Sequence, residues 1–134
     1  ELGLALLFIS HDLRVVQYVS HRTAVMYLGQ IVEMGPTPAV AEKRHHPYTR
    51  ALWSAMPEIV GEESGKKRLV VQGEPPSALD PPKGCAFHPR CAHALAVCKE
   101  RYPEARTLPG EGPPHVVRCH VEEVSLDLAR KVAP

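Results

Sequence analysis

Four cysteines confined to one proline-rich stretch place the strongest constraint on how this chain can fold. They are Cys85, Cys91, Cys98 and Cys119, spaced C-x5-C-x6-C-x20-C. Ordering the backbone costs about 1–2 kcal/mol per residue, and this stretch has few large apolar residues to offset that cost. We therefore expect disulfides, a structural zinc or an iron–sulfur cluster to hold it together. The histidines among the cysteines are interpreted as solvated loop residues: His88, His93, His115 and His120.

The cysteine spacing favours a metal or cluster over disulfides. Disulfides need an oxidising compartment, and no secretory signal is visible, although the chain opens at Glu1 and is expected to lack its native N-terminus. Structural zinc usually uses tight Cys-x-x-Cys pairs, which this chain lacks. A four-thiolate cluster tolerates wider spacing because its ligands bind different corners of a larger object. Disulfides, zinc and free thiols stay open as alternatives, zinc or an empty site above all in protein prepared in air.

Composition divides the chain into two parts. The net charge is +1 over 134 residues, so no strong field attracts nucleic acid, and no nucleic-acid partner is expected. No apolar run approaches the ~20 residues of a membrane span. Nine of the fourteen prolines lie between Pro75 and Pro114, which marks the second half as rich in loops. We expect an α+β chain: the end of an α/β domain over residues 1–60, then a small cysteine-stapled accessory domain over 61–134.

The first segments are typical of a buried sheet. Leu4–Ile9 is a continuous apolar run, which predicts a strand buried on both faces. Thr23–Leu28 and Ile31–Met34 predict a hairpin that turns at Gly29-Gln30. These strands cannot cover Leu4–Ile9, so we interpret the chain as a fragment of a larger sheet. Burying a leucine-sized side chain is worth about 1.5–3 kcal/mol, so the fragment is expected to self-associate through its first ~35 residues.

Helices and a domain boundary are predicted in the rest of the chain. The predicted helices are Leu13–Ser20, Thr37–Lys43 with Thr37 as its cap, a helix from Pro47 to Pro57, and Val121–Val132. Tyr48 and Trp53 are interpreted as core residues. The polar, glycine-containing segment Gly61–Arg68 predicts the boundary. Leu69–Gln72 is a candidate strand, with Val116-Val117 as its partner.

A polar triplet, Ser10-His11-Asp12, follows the first predicted strand. Open α/β sheets bind their ligands at the carboxyl ends of such strands. His11 could contact a phosphate or act as a base, while Ser10 and Asp12 could cap the next helix. For Asp12 a capping role is favoured over a catalytic one.

Four sequence motifs resemble one family in its own order. Leu7–Leu13 resembles the switch-histidine segment of ABC transporter ATPases, and Tyr27–Gly35 is similar to the hairpin after it. His46-Pro47-Tyr48-Thr49 is similar to the HPYT motif of the C-terminal region of oligopeptide and dipeptide importers. The cysteines resemble the cysteine-rich tail of those subunits. The resemblance covers nearly the whole chain.

The resemblance implies a role for the parent protein. It would be an ATP-binding subunit that uses ATP and Mg²⁺, at the cytoplasmic face of the membrane. It would pair with a second ATP-binding subunit and two membrane permease subunits, with a peptide-binding protein as an indirect partner. His11 would touch the γ-phosphate and the attacking water. Cys85, Cys91, Cys98 and Cys119 would ligate a [4Fe–4S] cluster.

The chain departs from the ATPase pattern in one decisive way. It contains no G-x-x-x-x-G-K-[ST] phosphate loop, no LSGGQ-type signature and no strand ending in the metal-binding aspartate and catalytic glutamate. Without those amides and that lysine, the fragment is not expected to hydrolyse ATP by itself. A nickel or other small-solute importer of the same branch stays open as an alternative, as does a free-standing metal-stapled interaction module.

Overall fold

The computed structural model describes residues 3–56, 69, 71–110 and 112–122. The predicted α+β class is confirmed, because short helices alternate with one small antiparallel sheet. The elements are α1 (Leu13–Val19), β1 (Arg22–Tyr27), β2 (Gln30–Pro36), α2 (Thr37–Lys43), α3 (Pro47–Ser54), a 3-10 turn (His88–Arg90), α4 (Ala96–Glu100), β3 (Arg106–Thr107) and β4 (Val116–Val117).

The predicted hairpin is confirmed as β1 and β2, which pair in antiparallel register with Tyr27 opposite Gln30. The turn lies one residue earlier than predicted, at Leu28-Gly29. Both residues have positive φ, 45° and 77°, as two-residue turns of the primed type require. Gly29 adopts this conformation without the steric cost that a side chain would bring.

The predicted partner of Val116-Val117 is wrong. This strand, β4, pairs with Glu33 and Met34 of β2 on one side and with β3 on the other. The sheet order is therefore β1-β2-β4-β3. The described residues of the 69–72 segment, 69, 71 and 72, lie in no strand. The free edge of β2 offers a row of backbone donors and acceptors, and the chain returning from β3 fills it.

The prediction that Leu4–Ile9 forms a buried strand is also wrong. These residues have no regular secondary structure, and the side chains of Leu6, Leu7 and Ile9 are 89–92 % exposed. A strand needs a neighbour to satisfy its backbone groups. Within the described part of the chain, none of the sheet's four strands pairs with this segment.

Local capping explains where the helices begin. The Asp12 carboxylate accepts the Arg14 amide at 2.9 Å and the Val15 amide at 3.3 Å, so its predicted capping role for α1 is confirmed. Thr37 is the first residue of α2 rather than its cap, and its hydroxyl bonds to that of Thr23 at 2.8 Å.

One apolar core joins residues from both halves of the sequence. Val25, Tyr27, Val32, Val40 and Trp53 belong to the same cluster as Cys85, Ala86, Phe87 and Cys98. The Tyr27 ring meets the rings of Tyr48 and Phe87 edge-on, with centroids 4.7 and 5.2 Å away. The predicted core roles of Tyr48 and Trp53 are thus confirmed.

Some predictions concern residues that the structure does not describe. The Gly61–Arg68 boundary lies wholly outside the described ranges, as does nearly all of the helix predicted over Val121–Val132. In the described part of the chain, no helix combines the length and the apolar character needed to span a bilayer.

Candidate metal centre and switch-histidine segment

Three of the four cysteines lie on one compact loop. Cys85 and Cys91 flank the 3-10 turn, and Cys98 lies in α4. The Cys85 amide donates to the Cys98 carbonyl at 2.8 Å, which brings the two ends of the loop together. Gly84 permits this approach, because a Cβ there would collide with the Cys98 carbonyl oxygen. Cys119 lies outside this loop, two residues after the end of β4.

Backbone N–H groups act on all four cysteine sulfurs. The Leu95 amide donates to Cys98 Sγ at 3.4 Å. The backbone N–H groups of Phe87 and His88 act to lower the pKa of Cys85, against the larger effect of burial. Those of His93 and Val121 act in the same way on Cys91 and Cys119. Backbone N–H groups favour the charged form of a thiol. Such donors therefore suit sulfurs that become thiolates on binding a metal.

The four thiols also influence one another electrostatically. Burial raises the pKa of Cys91 to about 11, and the thiols of Cys119, Cys85 and Cys98 act in the same direction. Burial likewise raises the pKa of Cys85 and Cys119, each with a contribution from Cys98. The pKa of each of these three thiols is therefore raised both by burial and by neighbouring cysteines.

The arrangement does not suit a single metal ion. Among the described residues, no group of three or more His, Cys, Asp or Glu side chains is placed to hold one. All four cysteines lie in described residues, and each has a free thiol. Tetrahedral zinc with bonds of about 2.3 Å needs its sulfurs about 3.8 Å apart. The described residues therefore do not show the metal centre that the cysteine spacing predicts.

The prediction that the four histidines are solvated loop residues is wrong for His115, which is 7 % exposed. Its Nε2 donates to Glu33 Oε1 at 2.8 Å. The other three are partly buried, and two of them bond to backbone carbonyls: His88 to Cys85 and His120 to Arg101, both at 2.9 Å.

Glu33 is the residue that sequence reasoning overlooked. Its carboxylate also accepts the amides of His45 and His46, at 2.9 and 2.8 Å, although its neighbours in β2, Val32 and Met34, are apolar. A charged side chain inside Ile31–Met34 was the available signal, because a buried carboxylate requires hydrogen-bond partners.

His11 lies apart from the apolar core, at the surface. It is exposed and lines an open cavity of about 310 Å³ with Asp12, Arg14 and Met56. Ser10 Oγ accepts the Asp12 amide at 3.0 Å, which shapes the turn into α1. The His11 ring is therefore accessible, while the side chains of Ser10 and Asp12 form hydrogen bonds to nearby backbone amides.

Comparison with known proteins identifies relatives of one kind. The family described as "Oligopeptide/dipeptide transporter, C-terminal region" matches residues 32–98. The Probable peptide ABC transporter ATP-binding protein y4tS of Sinorhizobium fredii is 47% identical over 121 residues, 90% of this chain and 33% of its own. The Oligopeptide transport ATP-binding protein AppF of Bacillus subtilis is 45% identical over 122 residues, 90% of this chain and 36% of its own. The Dipeptide transport ATP-binding protein DppF of Escherichia coli is 41% identical over 111 residues, 83% of this chain and 33% of its own.

The chain thus spans about a third of the length of these relatives. The family match takes in β2 from Val32 onward, α3 and the first three cysteines. By that match, this chain belongs to the family of the oligopeptide/dipeptide transporter C-terminal region.

Proposed function

We propose that this chain is the C-terminal part of an ATP-binding subunit of an ABC importer that takes up oligopeptides or dipeptides. The observation that carries the proposal is the family match over residues 32–98. Relatives named for peptide transport, at 41–47% identity, support it. In this role the parent works peripherally at the cytoplasmic face of the membrane. Its partners are a second ATP-binding subunit, two permease subunits and, indirectly, a peptide-binding protein.

In this proposal His11 acts in ATP hydrolysis by the whole subunit. Its exposed ring at the entrance to α1 is free to donate to a γ-phosphate oxygen and to orient the attacking water. Such a contact matters more to the transition state than to bound ATP. The phosphate-binding and Mg²⁺-binding residues would come from other parts of the subunit.

The test compares His11→Ala with His21→Ala in the full-length subunit. His21 is a matched control, because it is also exposed and lies just before β1. Removing one preorganised donor is expected to lower turnover by about 10²–10³, with ATP affinity nearly unchanged and the His21 variant near wild type. A loss of affinity equal to the loss of rate would make His11 a structural residue. The 134-residue chain alone is expected to hydrolyse no ATP.

The second part of the proposal concerns the cysteines. Cys85, Cys91, Cys98 and Cys119 would ligate one [4Fe–4S] cluster, which would bring redox chemistry and a rigid four-point link to a segment short of apolar residues. The electrostatic influence of the thiols on one another and the backbone N–H groups that act on their sulfurs support a shared centre.

Metal content after anaerobic preparation tests this assignment. Wild-type protein treated with ferrous iron and sulfide is expected to bind about four irons per chain, as a [4Fe–4S] cluster requires. Cys91→Ser is expected to lose the centre and loosen residues 84–120, whereas the neighbouring exposed Ala92→Ser keeps it. Protein with neither iron nor zinc near one site per chain would refute a metal centre. One zinc per chain without iron would replace the cluster with a single-ion site.

A further inference from the structure

We propose that Glu33 and His115 form a positioning pair that fixes Cys119 relative to the other three cysteines. The role assigned to Cys119 rests on the proposed cysteine centre. The pair itself rests on contacts among described residues, so the two can be tested separately.

The Glu33 carboxylate joins segments that are distant in sequence. Its side chain is fully buried, at 0 % exposure. Its two oxygens accept the backbone N–H groups of His45 and His46 and the Nε2–H of His115, which lies 82 positions away. A buried carboxylate is stable only when donors surround it. The β1–β2 hairpin, the residues at the start of α3 and the segment that leads to Cys119 therefore meet at the Glu33 carboxylate.

Besides its bond to Glu33, His115 makes three further contacts with described residues. Its ring lies against Gly35, where an added Cβ would be 3.0 Å from Cγ and Cδ2. The His45 ring meets it edge-on, with centroids 5.4 Å apart. Its carbonyl accepts the Leu108 amide at 2.8 Å. A side chain at position 35 would require the His115 ring to give way by a few tenths of an ångström.

Cys119 depends on this pair more than the other cysteines do. Cys85, Cys91 and Cys98 share one continuous loop, whereas twenty residues separate Cys98 from Cys119. Cys119 reaches the loop through the two-residue strand β4 and the bond from the Arg118 amide to the Val32 carbonyl, at 2.9 Å. Because so short a ladder supplies few bonds, the buried bond from His115 is a large part of what anchors it.

Thiol labelling of metal-free full chain tests the pair. Reduced protein in EDTA is treated with iodoacetamide, and labelling of each cysteine is followed by mass spectrometry. In His115→Ala we expect Cys119 to react about tenfold faster or more, since losing a buried bond to a charged group opens the segment. Cys85 and Cys98 are expected to keep their wild-type rates. His115→Gln, whose amide can still donate to Glu33, is expected to restore slow labelling.

The control is His120→Ala, because His120 adjoins Cys119 but bonds to the Arg101 carbonyl instead of Glu33. An unchanged Cys119 rate in His115→Ala would overturn the proposal. So would an equal rise in the His120 variant, or an equal rise at all four cysteines.

Amide exchange in the wild-type chain decides the matter if His115→Ala fails to fold. The His45 and His46 amides donate to Glu33, and the Arg118 amide donates to the carbonyl of the adjacent Val32. These three amides are expected to be protected and to open together. Exchange of the His45 and His46 amides at unprotected rates would overturn the pair. Neither thiol labelling nor amide exchange involves iron, so both measurements test the Glu33–His115 pair even in a protein that binds no cluster. Normal iron loading in a His115→Ala chain with exposed Cys119 would refute only the cysteine-positioning role.

Discussion

At the scale of single residues, His46 of the HPYT motif caps a helix from a buried position. It is 1 % exposed, and its Nδ1 accepts the Tyr48 amide at 3.1 Å, which caps α3. Burial lowers the pKa of His46 to about 4, and the attraction of Glu33 opposes this only in part. Only an unprotonated Nδ1 can accept the amide, so the cap needs the neutral ring.

This predicts a loss of stability in mild acid. The unfolded chain binds a proton at His46 below about pH 6.5, whereas the folded chain resists it until about pH 4. The free energy of unfolding should therefore be fully supported above pH 6.5 and fall between pH 6.5 and 4, by about 3 kcal/mol from this residue. Burial lowers the pKa of the neighbouring His45 as well, which adds in the same direction.

Urea unfolding at pH 7 and pH 4.5 measures the effect. His46→Asn keeps a side-chain acceptor at the cap position and removes the titrating ring. Its stability at pH 7 should drop through lost packing on Phe87, 5.8 Å away. The difference between the two pH values should nevertheless be smaller than in wild type. An unchanged difference would show that His46 does not govern the acid sensitivity.

At the scale of elements, the cysteine loop depends on a close approach between its entrance and α4. Gly84 has φ of 70°, and a Cβ there would meet the Cys98 carbonyl oxygen and lie 2.9 Å from the Lys99 carbonyl carbon. Gly73 has a similar φ of 77°, with nothing within 4 Å of an added Cβ. Comparing alanine substitutions at the two positions therefore separates the free-energy cost of backbone strain from that of the steric collision.

Gly84→Ala is therefore expected to destabilise the protein more than Gly73→Ala. The positive φ alone costs about 1–2 kcal/mol in either variant. At Gly84, moving α4 away from the loop costs roughly another 1–3 kcal/mol. It also breaks the backbone hydrogen bond from the Cys85 amide to the Cys98 carbonyl. Denaturant unfolding of both variants checks this. Equal losses would mean that the loop relaxes around the new methyl group.

At the scale of the whole molecule, several large apolar side chains near residues 4–18 are exposed in the part of the chain that the structure describes. Leu4, Leu6, Leu7 and Ile9 are at least 75 % exposed, and α1 adds Tyr18 at 93 %. In the proposed ATP-binding subunit, further strands would cover this segment. The 134-residue chain by itself is expected to bury it against a second copy, because exposed apolar surface of this extent drives association.

Light scattering and sedimentation test this self-association. A chain carrying Leu6→Gln, Leu7→Gln and Ile9→Gln together should be monomeric under conditions where the wild-type chain is not. Leu79→Gln is the matched control, because Leu79 is 98 % exposed but lies in the separate proline-rich loop. A monomeric wild-type chain, or a dimer that survives the triple substitution, would contradict the prediction.

The sequence by itself determined the features that depend on neighbouring residues. The apolar segments around Gly29 predicted the hairpin, because a glycine there permits a tight turn. Asp12 predicted the cap of α1, and Pro47 predicted the start of α3, because both act within one turn of helix. The HPYT and cysteine motifs likewise indicated the family, since both are residue types at fixed spacings along the chain.

Only the tertiary structure decided the features that join distant residues. The partner of β4 could not be predicted, because a two-residue strand pairs with whichever edge is free in three dimensions, and that edge was β2. The apolar run at Leu4–Ile9 predicted burial, but burial depends on neighbours that the run itself does not supply. The bond between Glu33 and His115 spans 82 positions. No local pattern at either residue names the other, because folding alone brings a buried charge and its donor together.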